Sequence, residues 1–357
     1  MESTIQTILV NTKPKYAVSI GPGLLAQCGE LAAGALSPCR AAIVTDSTVA
    51  KLYLPRVEKS LRAAGFSVCS HVFPAGEEHK NLSTLSEILE FLAGEQLTRS
   101  DCVVALGGGV CGDMAGFAAG CYLRGVKFIQ LPTTLLSAVD SSVGGKTAVD
   151  LCHGKNLAGL FFQPSAVVCD TDCLQTLSPT ELADGAAESI KTGVLSGEAL
   201  FSLTDTDDLS GNLKDIITRC VAFKATVVEE DELDNGVRRT LNLGHTAGHA
   251  IESCSDYGIR HGHAVAAGLA IIARASEALG WAEESCAARI CAALRRNNLP
   301  TGTDYSPTAL AQAALADKKR RGGQISLVIP KKIGKCEMKS VPMEELESIF
   351  AAGWEGR

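Results

Sequence analysis

The first half of the chain alternates short hydrophobic runs with longer amphipathic segments. The runs AAIVTD, DCVVALGGG and KFIQLPTT predict buried strands, and YAVSIGPG and FSVCSHVFPAG predict two more. The segments STVAKLYLPRVEKSLRAAG and NLSTLSEILEFLAGEQL predict helices, the second with Asn81 or Ser83 as its N-cap. Because strands separated by helices are typical of βαβ units, this half of the chain is predicted to contain a parallel sheet.

The pattern changes to a helical period near residue 178. Segments such as TELADGAAESIKTGVL, LKDIITRCVAFKATVVEED, HTAGHAIESC, HAVAAGLAIIARASEALG and ESCAARICAALRRNNL predict helices, and QISLVIP near the end predicts one further strand. We therefore predict an α/β domain over residues 1–178 and a helical domain over residues 179–357.

Composition narrows the class of protein. The 357 residues are 46% hydrophobic and 20% charged, which fits folded domains rather than disorder. The net charge of −7 argues against nucleic acid or an anionic membrane as partner. The start of the chain has no basic segment followed by an apolar run, so we expect no signal peptide and a cytoplasmic protein. The 14 cysteines are spaced singly without a CxxC pair, which fits reduced, mostly buried thiols.

A glycine-rich turn follows the predicted strand DCVVALGGG. Gly107, Gly109 and Gly112 form G-x-G-x-x-G before a predicted helix, the context in which a backbone binds a pyrophosphate. The motif lies outside the first βα unit and no acidic residue follows about 20 positions later, so an ordinary strand–helix turn is the alternative. Glu77 and Lys80 on another turn, and the polar segment LPTTLLSAVDSSVGGKTAVD, favour a ligand crevice at the carboxyl edge of the sheet.

The segment LNLGHTAGHAIE predicts a helix that carries two histidines on one face. His245 and His249 are four residues apart, the spacing by which a helix offers two ligands to a metal. RHGHAV adds His261 and His263, and ESIKTG places a glutamate and a lysine on one helix face, three residues apart. Glutamate and histidine in a helical domain indicate zinc with an open fourth position. Spacing favours His245 with His249 but does not choose among the four histidines, and hydrogen-bonded core or surface histidines are the alternative.

The motifs also resemble a known family as a set. GGGVCGDMAGFAA, LPTTLLSAVDSSVGGKTAVD, GKNLAG, ESIKTG, RRTLNLGHTAGHAIE, HGHAV and DKKRRGGQISLVIP follow one another in the order seen in the 3-dehydroquinate synthase family of sugar-phosphate cyclases. The resemblance covers nearly the whole chain. It implies an N-terminal Rossmann-like NAD domain, an all-α C-terminal domain that binds metal and substrate, a site between them, and a homodimer. It also implies conversion of 3-deoxy-D-arabino-heptulosonate 7-phosphate to 3-dehydroquinate and phosphate, with recycled NAD and Zn²⁺ or Co²⁺.

The resemblance further implies roles for individual residues. The metal ligands are Glu188, His245 and His261, whereas His249 faces the substrate. The other positions that match catalytic or substrate-binding residues are Arg124, Asp140, Lys146, Asn156, Lys191, Lys224, Arg238 and Asn242, with either Lys318 or Lys319 at the carboxylate or phosphate. The expected NAD-binding positions are Asp46, Glu77, Lys80, Gly108, Gly109, Asp113, Thr133, Thr134, Lys146, Lys155 and Thr176.

One position departs from the family pattern. The family usually reads HGEAV, and this chain has His263 in place of the glutamate. We expect His263 to lie beside the metal site or on the surface rather than to bind the metal, and it could alter how His261 is oriented. The competing functions are another sugar-phosphate cyclase, a metal-dependent alcohol dehydrogenase, and a non-catalytic metal- or nucleotide-binding protein.

Overall fold

A seven-stranded sheet forms the centre of the N-terminal half in the computed structural model, which describes residues 5–318 and 323–356, without the side chains of residues 316–318. The strand order is β1-β2-β9-β6-β5-β3-β4, and all neighbours are parallel except β1 and β2. The strands of this half are β1 (Gln6–Val10), β2 (Tyr16–Gly21), β3 (Arg40–Asp46), β4 (Ser67–Phe73), β5 (Cys102–Gly107), β6 (Lys127–Pro132), β7 (Lys146–Leu151), β8 (Gly154–Phe161) and β9 (Ala166–Asp170). The predicted parallel α/β sheet is thus confirmed, whereas β1, β9 and the antiparallel hairpin β7–β8 were not predicted.

Helices cover both faces of this sheet. They are α1 (Cys28–Ala35), α2 (Ser47–Ala63), α3 (Leu82–Gly94) and α4 (Gly109–Cys121). The period of two along β3 explains the two layers, because Ile43 packs with α1 and α2 on one face while Val44 packs with α3 and α4 on the other. Asn81, one of the two predicted caps, accepts a hydrogen bond from the backbone N–H of Thr84 at the start of α3.

Helices dominate the C-terminal half, as predicted. They are α5 (Pro179–Ser196), α6 (Glu198–Thr204), α7 (Leu213–Glu230), α8 (His245–Cys254), α9 (His261–Ala278), α10 (Ala287–Arg296), α11 (Pro307–Lys318) and α12 (Leu346–Gly353). The predicted strand QISLVIP is β10 (Gln324–Lys332), and it pairs with β11 (Lys335–Pro342), so this half is helical with one added hairpin. Ser178 and Glu181 form a capping box at the start of α5, with Pro179 in the first turn.

The chain divides into two compact units. The first runs to Leu177 and also includes Lys224–Leu233, and the second comprises Ser178–Phe223 and the chain from Asp234 onward. The sequence prediction had placed all of residues 179–357 in the second domain. Hydrogen bonds from Asn11 to Glu229 and from Gln163 to Glu232 tie the segment Lys224–Leu233 to the rest of the first unit. Among the described residues, no helix is long and apolar enough to cross a membrane.

Candidate active site

A buried carboxylate lies beside two imidazoles in the second unit. Glu188 on α5 is 1% exposed, and its Oε1 lies 3.6 Å from His245 Nε2 and 3.5 Å from His261 Nε2. His245 is the first residue of α8 and His261 is the first residue of α9. The two helices pack against each other, and the centroids of the two imidazole rings are 5.3 Å apart. Glu188 Oε1 has no hydrogen-bond partner within the described parts of the chain. Three helices therefore bring one carboxylate and two ring nitrogens to a single point.

The tautomer of His245 makes this arrangement unfavourable without a cation. Its Nδ1 lies 3.1 Å from the carbonyl oxygen of Leu243, so Nδ1 carries the proton that is donated to that oxygen. Burial, with Lys191 next, lowers the pKa of His245 to about 3, which keeps the ring neutral. Nε2 then presents a lone pair to a buried carboxylate oxygen. Two buried acceptors that face one another are stabilised by a cation between them.

His261 is held from its opposite edge by a second carboxylate. Its Nδ1 lies 3.4 Å from Oε2 of Glu252, a residue of α8 that is 2% exposed. Burial alone would lower the pKa of His261, but the neighbouring carboxylates of Glu188 and Glu252 raise the pKa to about 10. In the metal-free protein this ring is an imidazolium. A carboxylate on the outer nitrogen is the usual partner of a metal-binding histidine, since it fixes the ring orientation.

Lys191 completes the buried charge cluster. Its Nζ lies 2.5 Å from Glu188 Oε2, and both side chains are 2% exposed. Burial raises the pKa of Glu188, but Lys191 and His261 outweigh this effect and hold that pKa well below its ordinary value. Glu188 is therefore ionised, as a metal ligand must be.

The spacing of these atoms fits a metal ion. Ligand atoms about 2.0–2.1 Å from a tetrahedral zinc lie about 3.4 Å from one another. The two histidine Nε2 atoms lie 3.5 and 3.6 Å from Glu188 Oε1. A second group, His249, Glu252 and His261, also has its ligand atoms within 4.8 Å, but Glu252 in that group already binds the outer edge of His261. The first group is therefore the better candidate for a metal with an open position.

His263 lies outside this group of atoms. Its Nδ1 pairs with Asp184 Oδ1 at 2.8 Å, on the preceding turn of α5. The side chain therefore interacts beside the candidate ligands rather than among them.

The glycine turn in the first unit leads into α4. The N-cap is Gly108, so the first-turn amides of α4 have no side chain competing for them at that position. A Cβ on Gly108 would lie 2.9 Å from Thr134 Cγ2, and the Thr133 amide donates to Gly107 O at 3.0 Å. This turn therefore needs glycine for close packing, and a helix N-terminus of this kind can bind a phosphate.

A lysine with two oxygen partners lies near the same helix. Lys80 is 5% exposed, and its Nζ lies 2.6 Å from both Asp113 Oδ2 on α4 and Asn156 Oδ1 on β8. Burial would lower the pKa of Lys80, but Asp113 and Glu77 outweigh it and raise the pKa. Two predicted NAD-binding residues and one predicted catalytic residue thus share one hydrogen-bond network, in which Lys80 is the buried member.

Other predicted residues form smaller groups in the first unit. Lys224 Nζ lies 2.7 Å from Asp140 Oδ1, and Lys155 Nζ lies 3.5 Å from Glu77 Oε1. Asp46 caps α2 through Oδ1, which accepts from the amides of Thr48 and Val49. The hydroxyl of Thr176 contacts Tyr53 Oη at 2.6 Å.

The remaining predicted residues differ in exposure. Arg124 and Lys146 are exposed in the first unit; in the second unit, Asn242 and His249 are exposed and Arg238 is 2% exposed. The His249 ring centroid lies 5.4 Å from that of His245. The side chain of Lys318 and the whole of Lys319 lie outside the described residues.

The sequence interpretation missed two carboxylates beside the site. Glu252 lies on the His245 face of α8, at the i, i+7 spacing, and Asp184 lies one turn before Glu188 on α5, at i, i+4. These spacings were visible in the sequence. Their partners were not, since each contact joins two different helices.

Comparisons with known proteins give a consistent result. The family profile described as 3-dehydroquinate synthase N-terminal matches residues 70–184, and the profile described as 3-dehydroquinate synthase C-terminal matches residues 185–320. A 3-dehydroquinate synthase from Enterococcus faecalis is 44% identical over 341 residues, which cover 94% of this chain and 95% of the relative. The chain belongs to the 3-dehydroquinate synthase family.

Solved structures of related cyclases share the fold. A 2-deoxy-scyllo-inosose synthase in complex with carbaglucose-6-phosphate, NAD+ and Co2+ has a TM-score of 0.86 at 25% identity, over 98% of this chain and 100% of that one. The 2-epi-5-epi-valiolone synthase of Streptomyces hygroscopicus, with NAD+ and Zn2+ bound, has a TM-score of 0.85 at 28% identity, over 94% and 96%. This chain therefore has the same fold as these two synthases.

Proposed function

We propose that this protein is a 3-dehydroquinate synthase. It converts 3-deoxy-D-arabino-heptulosonate 7-phosphate to 3-dehydroquinate and phosphate, the second step of the shikimate pathway, and uses NAD as a recycled cofactor and a divalent metal. Membership of the family over 94% of the chain supports the reaction. The observation in the site itself that supports it most is the convergence of Glu188 Oε1 with the Nε2 atoms of two histidines.

We propose Glu188, His245 and His261 as the metal ligands. A zinc or cobalt ion bound there would supply Lewis acidity, which lowers the pKa of a substrate hydroxyl. The protein contributes orientation. Leu243 O holds His245 in the tautomer that presents Nε2, and Glu252 holds the ring of His261.

Charged side chains would bind the phosphate and carboxylate of the substrate. We assign this role to cations and amides that the family pattern marks, namely Arg124, Lys146, Asn156, Lys191, Lys224, Arg238, Asn242 and one of Lys318 and Lys319. Charge-assisted hydrogen bonds of this kind position a flexible substrate in one conformer. His249 is exposed, so it can exchange a proton with solvent and is assigned to proton transfer. Asp140 lies 2.7 Å from Lys224 and orients its amine.

The first unit would bind NAD. The pyrophosphate of NAD would bind at the N-terminus of α4, beside Gly108, Gly109, Thr133 and Thr134. We assign the rest of the nucleotide to three groups of side chains: the network of Lys80 and Asp113, the pair of Lys155 and Glu77, and the side chains of Asp46 and Thr176. NAD that accepts a hydride and later returns it would leave no net NADH.

The first experiment measures phosphate release from the heptulosonate phosphate with catalytic NAD, with and without a chelator, while absorbance reports NADH. We expect phosphate release that the chelator abolishes, without accumulation of NADH. NADH without phosphate would instead indicate a metal-dependent alcohol dehydrogenase. Phosphate release from a different sugar phosphate only would indicate another cyclase, the class to which two of the structural neighbours belong.

A second experiment tests the metal ligands. His245→Ala should lose bound metal, whereas His249→Ala should retain metal and lose rate. Metal content is measured by elemental analysis after dialysis, and circular dichroism checks that both variants fold. A full complement of zinc in His245→Ala would contradict the ligand assignment.

We also propose a cytoplasmic homodimer that acts on a small molecule, without nucleic acid or membrane as partner. The net charge of −7 supports the exclusion of polyanions. Light scattering coupled to size-exclusion chromatography measures the mass of the assembly, and a monomeric mass at micromolar concentration would refute the dimer.

A further inference from the structure

Asp184 joins α5 to the beginning of α9. Its Oδ1 pairs with Nδ1 of His263 at 2.8 Å and accepts from the backbone N–H of His263 at 3.3 Å. Its Oδ2 lies 3.3 Å from Nη1 of Arg260. Asp184 is 8% exposed, so both carboxylate oxygens are used by the first turn of one neighbouring helix.

This contact acts as a helix cap supplied by another helix. The N-cap position of α9 is Arg260, whose guanidinium can only donate and therefore cannot accept from a first-turn amide. Asp184 supplies the missing acceptor from α5. A carboxylate at this end of α9 is also favoured by the helix dipole.

The two backbones touch at the same place. A Cβ on Gly262 would lie 2.3 Å from the carbonyl oxygen of Asp184 and 2.5 Å from its Cα. Glycine at position 262 thus permits direct contact between the helices, and the carboxylate of Asp184 then fixes how α9 is rotated on α5.

The contact of Asp184 with the beginning of α9 lies next to two of the proposed metal ligands. Glu188 follows Asp184 by one turn on α5, and His261 lies between the two residues that Asp184 binds, the N-cap Arg260 and His263. We propose that Asp184, through His263, is a positioning residue that sets the separation of Glu188 and His261 and thereby the metal affinity. This inference rests on the metal site of the proposed function.

His263 suits this chain's Asp184 in particular. An ionised carboxylate can only accept, so His263 Nδ1 donates the proton in the 2.8 Å contact. A glutamate at position 263, as in the HGEAV pattern, would place a second carboxylate against Asp184. The two positions therefore form a matched donor and acceptor.

The primary test measures zinc affinity of the metal-free protein by competition with a chromogenic chelator. Asp184→Ala should weaken zinc binding by about 10–100-fold, the range for loss of a partner that orients a ligand. The matched control is Glu198→Gln, which breaks another interhelical ion pair of the same unit, with Arg289 at 2.6 Å. The control should keep the parental affinity.

Exchange of the pair separates positioning from general packing. His263→Asn retains an N–H donor near the position of Nδ1 and should keep most of the affinity. His263→Glu should weaken zinc binding, whereas Asp184→Asn combined with His263→Glu restores one donor facing one acceptor and should recover it. A coupling between the two positions in this double-mutant cycle is expected.

The outcomes are distinct. Weaker zinc binding in Asp184→Ala and His263→Glu, with recovery in the exchanged pair, supports the inference. Parental affinity in Asp184→Ala and His263→Glu, or equal loss in the exchanged pair and in His263→Glu, overturns it. If Asp184→Ala does not fold, the His263 series decides alone. A parent protein that binds no zinc overturns the proposed metal site and this inference together, whereas a parent that binds zinc with unaffected variants overturns the inference only.

Discussion

Replacement of Lys191 by methionine should destabilise the metal-free protein far more than the zinc-loaded protein. Lys191 Nζ lies 2.5 Å from Glu188 Oε2, and both side chains are 2% exposed. Removal of one partner of a buried ion pair costs about 3–5 kcal/mol, because the other charge stays buried. The imidazolium of His261 lies 3.5 Å from the other carboxylate oxygen and compensates in part, so we expect the lower end, about 3 kcal/mol.

The expected shift is large enough for a thermal melt. At about 2–4 °C per kcal/mol for a unit of this size, the loss corresponds to a decrease in Tm of about 6–12 °C. Zinc would then provide the positive charge that Glu188 has lost. The increase in Tm on addition of zinc should therefore be larger in Lys191→Met than in the parent, whatever the effect on catalytic rate.

Melts of both proteins with zinc and with chelator, followed by circular dichroism at 222 nm, measure this difference. The control is Lys335→Met, which removes an exposed lysine that pairs with Glu283 at 2.7 Å and should change stability by about 0–1 kcal/mol. Equal decreases in Tm with and without zinc would refute the reasoning. They would mean that the metal does not replace Lys191 as the charge partner of Glu188.

Further predictions concern the protonation of His261, the contact of α5 with α9, and the ion pair of Lys80 with Asp113. Because the pKa of His261 is raised to about 10, the protonated ring stabilises the metal-free fold fully below about pH 6.5, and this stabilisation is lost as pH rises toward 10. Zinc should therefore displace a proton from His261 and bind more tightly as pH rises. Calorimetry of zinc binding at pH 8 in buffers of different ionisation enthalpy measures the released proton, and binding without proton release would contradict this prediction. Gly262→Ala should lower the free energy of unfolding by about 1–3 kcal/mol, because the added methyl group would overpack against α5. Gly34→Ala is the control, since position 34 has open space around it, and this change should be neutral or slightly stabilising. Similar denaturation midpoints for the two variants would argue against the close contact at position 262. Asp113→Asn should replace the carboxylate partner of the buried Lys80 ammonium with a neutral amide and destabilise the first unit by about 3–5 kcal/mol. An unchanged urea midpoint would exclude a buried ion pair there.

Periodicity in the sequence predicted the elements that position both sites. The runs of β3, β5 and β6, the helix α4 after the glycine turn, and the helices α5, α8 and α9 are all found where the sequence pattern indicated them. Strands β1 and β9 were missed. Each has only five residues, too few for a hydrophobic pattern to stand out from its surroundings.

The hairpin of β7 and β8 was missed for a different reason. Its residues carry glycine and polar side chains for the candidate site, so their hydrophobic pattern is weak. Exposed and intermediate positions dominate β8. Asn156 there has a φ of +56°, a conformation that side-chain type alone does not indicate.

The sequence alone determined that His245 and His249 share a helix face and that Glu188 and Lys191 share another, because a helix of 3.6 residues per turn requires it. It did not determine which nitrogen atoms converge. The packing of α5, α8 and α9 decided that His245 and His261, rather than His245 and His249, direct Nε2 at Glu188. The same packing paired Asp184 with His263 and Glu252 with His261. Local spacing cannot encode such contacts, since each depends on the rotation and separation of two helices that only the folded core defines.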